Sequence, residues 1–90
     1  MMVGPSLGLA RLRRWMARRG LSQTALARLL GVDQSWCCLV ANGKRRPSID
    51  LAGKIERLTG GSVKAGEWSL SYRGALPELP EHRGRRRRET

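Results

Sequence analysis

Apolar residues recur along this chain at helical spacing, and each run opens on a small polar residue and closes at glycine. Leu9, Leu12 and Met16 stand at i, i+3 and i+7 behind a capping Ser6, with Gly20 as the stop. Trp15 flanks that stripe and packs at the core edge, while Arg11, Arg13, Arg14 and Arg18 cover the other faces. A second helix starts at Ser22. Leu21 before this cap and Leu26 beyond it form a hydrophobic staple, Ala27, Leu29 and Leu30 add apolar positions, and Gly31 ends the helix. The third repeats the device: Asp33 caps, Val32 precedes it, and the staple turns Cys37 inward with Val40 one turn later. Asn42-Gly43 closes it.

A fourth helix is capped by Ser48 after Pro47 and carries Asp50 in its first turn, where a negative charge suits the helix dipole. Leu51, Ala52, Ile55 and Leu58 form its buried stripe, and Gly60-Gly61 stops it. The pattern then weakens. Residues 63–68 read as a short fifth helix, or else Trp68, Leu70 and Tyr72 alternate as in a short strand. From Pro77 the chain runs Pro-Glu-Leu-Pro-Glu and on to a cluster of arginines, with nothing to bury. The expectation is one all-α domain over residues 1–76 and a disordered basic tail over 77–90.

Charge narrows the partner. The 90 residues hold 18 Lys+Arg against 7 Asp+Glu, a net +11. Without residues 83–90 the balance is still +7, from 13 basic and 6 acidic residues. A polyanion is the expected partner, with nucleic acid ahead of an anionic membrane surface. The LARLRRW run has the composition of a membrane-surface helix, but its stripe is better used against the other helices. No apolar run approaches the roughly 20 residues of a membrane span. The first 32 residues hold six Arg and no Asp or Glu, as a transit peptide would, yet they have few Ser or Thr and merge into the patterned domain. A cytoplasmic, nucleoid-associated protein is expected.

The cysteines, Cys37 and Cys38, are adjacent and cannot staple distant segments, which is the usage of a reducing compartment. Two neighbouring thiols and a distant His82 make no metal site. Ser22 and Ser35 have no His/Asp arrangement for nucleophilic catalysis, and no Gly-rich phosphate loop follows a strand. No enzyme and no cofactor is expected.

Two short helices joined at Gly31-Val32, with the small Ala27 at their close approach, are the signature of a helix-turn-helix, here over about residues 22–42. A short helix with polar residues in its first turn and a basic loop after it suits the major groove. The stretch LSQTALARLLGVDQSWCCLVANGKRRPS resembles the DNA-binding domains of Cro/cI-like phage repressors and the wider xenobiotic-response-element class of regulators. Leu21-Ser22-Gln23, Ala27, Gly31, Gln34-Ser35, the Cys37/Val40 pair and Asn42-Gly43 with the basic residues and proline behind it carry the resemblance. It spans roughly Leu9 to Leu58 and extends weakly to Trp68.

That resemblance implies an all-α, lambda-repressor-like helix-turn-helix bundle of about five helices whose third helix enters the major groove. It implies that Gln34 and Ser35 contact base edges, a glutamine amide being able to bond adenine twice. Leu39, one turn beyond Ser35, is placed to touch a thymine methyl, and Cys38 faces the DNA side. Gln23 corresponds to a residue that bonds a phosphate and buttresses the first reading glutamine. Asn42, Lys44, Arg45 and Arg46 correspond to backbone-contacting positions, and Arg45 to one where some relatives make a further base contact. The chain departs from the pattern at Trp36, usually small or polar, which either lies along the sugar-phosphate wall or narrows which DNA fits. It departs again at Cys37, a small core residue in place of an aliphatic, and at Cys38, where a thiol switch is a further reading because a helix start and cations lie near.

Double-stranded operator DNA is thus the expected partner, bound by a homodimeric repressor because one short helix reads only a few base pairs. Residues 63–76, with Val63, Trp68, Leu70 and Tyr72, either form the dimer surface or cover the core of their own chain. A second expectation is an antitoxin that neutralises a partner toxin and autoregulates its operon. A third, an RNA-binding basic protein, lacks the aromatic stacking platform such readers often use.

Overall fold

The computed structural model describes residues 5–77 and 79. Four α-helices follow one another: α1 (Leu7–Arg19), α2 (Gln23–Leu30), α3 (Gln34–Ala41) and α4 (Ile49–Leu58), followed by a 3-10 turn, Ala65–Ser69. Each α-helix begins where a short polar side chain meets the orphan N–H groups of its first turn. Ser6 Oγ accepts from Leu9 N at 3.1 Å, Ser22 Oγ from Ala25 N at 3.1 Å, and Ser48 Oγ from Leu51 N at 3.2 Å. Asp33 accepts from both Ser35 N and Trp36 N, at 3.0 and 3.3 Å. Gly31 ends α2 in the left-handed region at φ 71°, a conformation that side chains rarely adopt, and thereby turns the chain sharply into α3.

The four α-helices close on one core. Leu12 and Met16 of α1, Leu26 of α2, Ile55 of α4 and Val63 behind it are the largest fully buried side chains. Cys37, Val40 and Ala41 supply the inner face of α3, so Cys37 faces inward as expected. Leu58 is packed against the core but only partly buried. Leu29, grouped with the apolar positions of α2, turns outward at 55% exposure, because the inner face of so short a helix is filled by Leu26, Ala27 and Leu30.

The region after α4 takes one of its two expected forms, as a 3-10 turn rather than an α-helix. Thr59 Oγ1 accepts from Val63 N (3.1 Å) and Glu56 Oε1 from Ala65 N (3.0 Å), which folds the chain back over α4. Trp68 then lies flat on Gly8: a Cβ added at Gly8 would stand 2.6 Å from Trp68 Cδ2. The alternating Trp68, Leu70 and Tyr72 form no strand. Their segment makes a single antiparallel bridge, Ser71 to Ser6, with Leu7 N donating to Leu70 O (2.7 Å) and Tyr72 N to Pro5 O (2.8 Å).

The boundary expected at residue 77 is corrected by two contacts. Arg13 donates through Nε to Ala41 O (3.0 Å) and through an Nη to Pro77 O (3.1 Å), and Leu79 is buried in the core cluster. The apolar spacing of Leu76 and Leu79 was too sparse to signal this. Burial lowers the Arg13 pKa from the ordinary arginine value, and the two carbonyls it bonds sit where its charge needs them. The rest of the expected tail, with His82 and Arg85 to Arg88, lies outside the described residues.

Candidate nucleic-acid interface

Burying Cys37, Val40 and Ala41 commits α3 to one orientation, since a helix presents its faces at about 100° per residue. Gln34, Ser35, Leu39 and Asn42 therefore stand exposed on the opposite side, with Cys38 half-buried between them. These five residues and Lys44 line one open groove. Its character is mixed: two amides, a hydroxyl, a thiol, an exposed leucine and a cation, with no carboxylate among the described residues that line it.

The loop after α3 is folded onto the end of that helix. Lys44 N and Arg45 N both donate to Leu39 O, at 2.9 and 3.3 Å, so the basic run begins at the rim of the groove. Lys44, Arg45 and Arg46 are all exposed, and among the described residues no carboxylate pairs with them. Arg45 lies over the Trp36 ring, 5.2 Å from its centroid, and Trp36 itself packs against the core. The departure at Trp36 thus has a structural use: the indole is a platform that carries a guanidinium beside the groove.

A two-turn α2, a glycine turn and a two-turn α3 with a polar outer face are the parts of one motif. A family model described as helix-turn-helix domain matches residues 9–63, more than half of the chain. The chain belongs to the helix-turn-helix family. Comparisons with curated proteins and with solved structures gave no match. Membership points to a DNA-binding regulator and agrees with the basic charge. No helix among the described residues is long and apolar enough to cross a membrane.

Within this helix-turn-helix, the residues expected to read bases share the groove: Gln34, Ser35, Cys38 and Leu39, the last 38% exposed. Asn42, Lys44, Arg45 and Arg46 are exposed around its end. Gln23 is not placed as expected. It is 3% exposed, and its Oε1 accepts from Cys38 Sγ at 2.7 Å and from Asn42 Nδ2 at 3.5 Å. A residue so enclosed offers almost no surface to a phosphate, and its Oε1 braces the middle and end of α3 through Cys38 and Asn42. Thr24 takes the other half of that role, its Oγ1 accepting from Gln34 Nε2 at 2.9 Å. The two thiols are likewise separated in use: Cys37 is buried with its Sγ 3.7 Å from Gln23 O, and Cys38 reaches the groove.

Of the four residues considered for a dimer surface, Val63 and Trp68 fill the core of their own chain, because the Thr59 and Glu56 bonds pull that segment inward. Leu70 is exposed and Tyr72 half-buried. Sequence reasoning missed Thr24 and Arg13. Thr24 had only its neighbourhood to Gln23 to mark it, and Arg13 was one of several arginines on α1.

Proposed function

We propose that this chain is a sequence-specific transcriptional regulator of the Cro/cI-like kind, a repressor that occupies a palindromic operator as a homodimer. In this reading it binds double-stranded DNA in the cytoplasm, at the nucleoid, and performs no reaction of its own. The observation that carries the reading is the outer face of α3, where Gln34, Ser35, Cys38 and Leu39 share one open groove beside an exposed basic run. Such a face suits the major groove: the amide matches adenine N6 and N7, the hydroxyl either partner type, and the leucine a thymine methyl. Lys44, Arg45, Arg46 and Asn42 then meet the phosphates, which fix register and supply most of the salt-dependent affinity. An eight-residue helix spans few base pairs, so two copies on a two-fold axis are needed for useful discrimination. Exposed Leu70, with Tyr72, is the surface the segment after Trp68 offers for that pairing.

Selection of bound duplexes from a random pool at moderate salt tests the proposal. The expected products are inverted repeats with half-site centres about one helical turn, ~34 Å, apart. On the best site, Gln34→Ala should lose about 1–3 kcal/mol and relax one base pair per half-site. Neutralising Lys44 should weaken specific and non-specific DNA together and lower the salt slope by about one. If Gln34→Ala leaves base preference untouched while changes at Lys44 to Arg46 redistribute it, α3 is not the reader.

A further inference from the structure

The Gln34 side chain is exposed and has three rotatable bonds before its amide, so a free glutamine at this place would sample many orientations. In the structure it does not hang free. Its Nε2 donates to Thr24 Oγ1 at 2.9 Å, across the turn between α2 and α3. Thr24 is itself half-buried in the first turn of α2, whose start is fixed by the Ser22 cap. A β-branched threonine on a helix is confined to two χ1 rotamers, so its hydroxyl samples far fewer places than the glutamine amide does. Gln23, the neighbouring side chain with the reach to do the same, is turned inward and has its Oε1 engaged by Cys38 and Asn42.

We infer that Thr24 is a specificity-determining positioning residue: its hydroxyl holds the Gln34 amide so that its carbonyl and its second N–H face the groove and meet an adenine. One amide N–H is spent on Thr24. The remaining N–H and the carbonyl are the pair that adenine N7 and N6 require, so the tether leaves this readout intact and fixes its direction. Thr24 acts only through Gln34. The inference rests on the proposed entry of α3 into the major groove.

The test is duplex selection and titration with Thr24→Val, which replaces the hydroxyl by a methyl of similar shape, and with Thr24→Ser, which keeps it. Thr24→Val should bind the best site about three- to tenfold more weakly, the range of one net hydrogen bond. It should flatten preference at the base pair read by Gln34 and leave the other positions unchanged, while Thr24→Ser restores both. In a Gln34→Ala background, Thr24→Val should have no further effect. A loss that persists in that background, or that falls equally on all sequences with a smaller salt slope, would mean that Thr24 meets the DNA itself, and the inference fails. Unchanged preference in Thr24→Val also overturns it. If the wild-type chain selects no sequence at all, it is the DNA-reading proposal that falls. Thermal denaturation of each variant separates these outcomes from unfolding.

Discussion

The contact between Gly8 and Trp68 gives a prediction whose sign can be worked from opposing terms. Gly8→Ala would normally stabilise a helix, by at most roughly 1 kcal/mol and less near its first turn. Here the new methyl would stand 2.6, 2.8 and 2.9 Å from Trp68 Cδ2, Cγ and Cε2. These are rigid ring atoms of a side chain only 6% exposed, and restoring ordinary contact requires a retreat of about 0.8 Å by the ring or by α1. Overpacking of this kind costs about 1–3 kcal/mol, so the net expectation is a loss of about 1–2 kcal/mol. For a domain of this size that lowers Tm by roughly 5–15 °C. Gly53→Ala is the control: it lies in α4 with nothing within 4 Å of the added methyl, and should raise Tm by a few degrees at most. Urea denaturation of both variants, followed by near-UV circular dichroism, reads the difference. In a Trp68→Leu background the Gly8→Ala penalty should shrink or change sign. If Gly8→Ala and Gly53→Ala shift stability equally, the close approach of ring and backbone is not as described.

Alkylation of the native protein should modify Cys38 before buried Cys37 and weaken DNA binding at least tenfold, since the adduct would occupy the groove; Cys38→Ser should protect binding, as peptide mass analysis with titration would show. Arg13→Met should lose about 1–2 kcal/mol in denaturant titration, because two carbonyl bonds go but the guanidinium is only partly enclosed. The same change should loosen the segment around Leu79, visible as faster amide exchange there. Deleting residues 83–90 removes five arginines and should weaken binding alike on every sequence, leaving the selected consensus unchanged; an altered consensus would mean that the tail reads bases.

What could be read from the sequence was whatever local chemistry decides. Ser6, Ser22, Asp33 and Ser48 cap because a short side chain bonds an N–H two or three residues on, a relation contained within one turn. The inward turn of Cys37 followed from its spacing to Val32, and the groove residues followed once that face was fixed. What could not be read depends on residues far apart in the chain. Gln23 has the same composition and position whether its amide points out to a phosphate or in to Cys38; only the size and donors of the residues packed above it decide. Leu79 has no periodic neighbours, and the segment it belongs to is met by Arg13, which bonds the Pro77 carbonyl 64 residues away. Trp68 alternates with Leu70 and Tyr72 as a strand residue would, yet the space over Gly8 takes the indole into the core.

The segments that pack beside the four helices set the size of the unit that folds. The family pattern covers residues 9–63, but the ring that closes the core over α1, the glycine beneath it and Leu79 all stand outside that span. A graft of the shared span alone into another protein would carry α2 and α3 without Trp68 and Leu79, and the apolar walls they cover would face solvent. The transplantable unit is therefore longer than the recognisable one. It begins by Pro5, whose carbonyl accepts from Tyr72, and ends no earlier than Leu79.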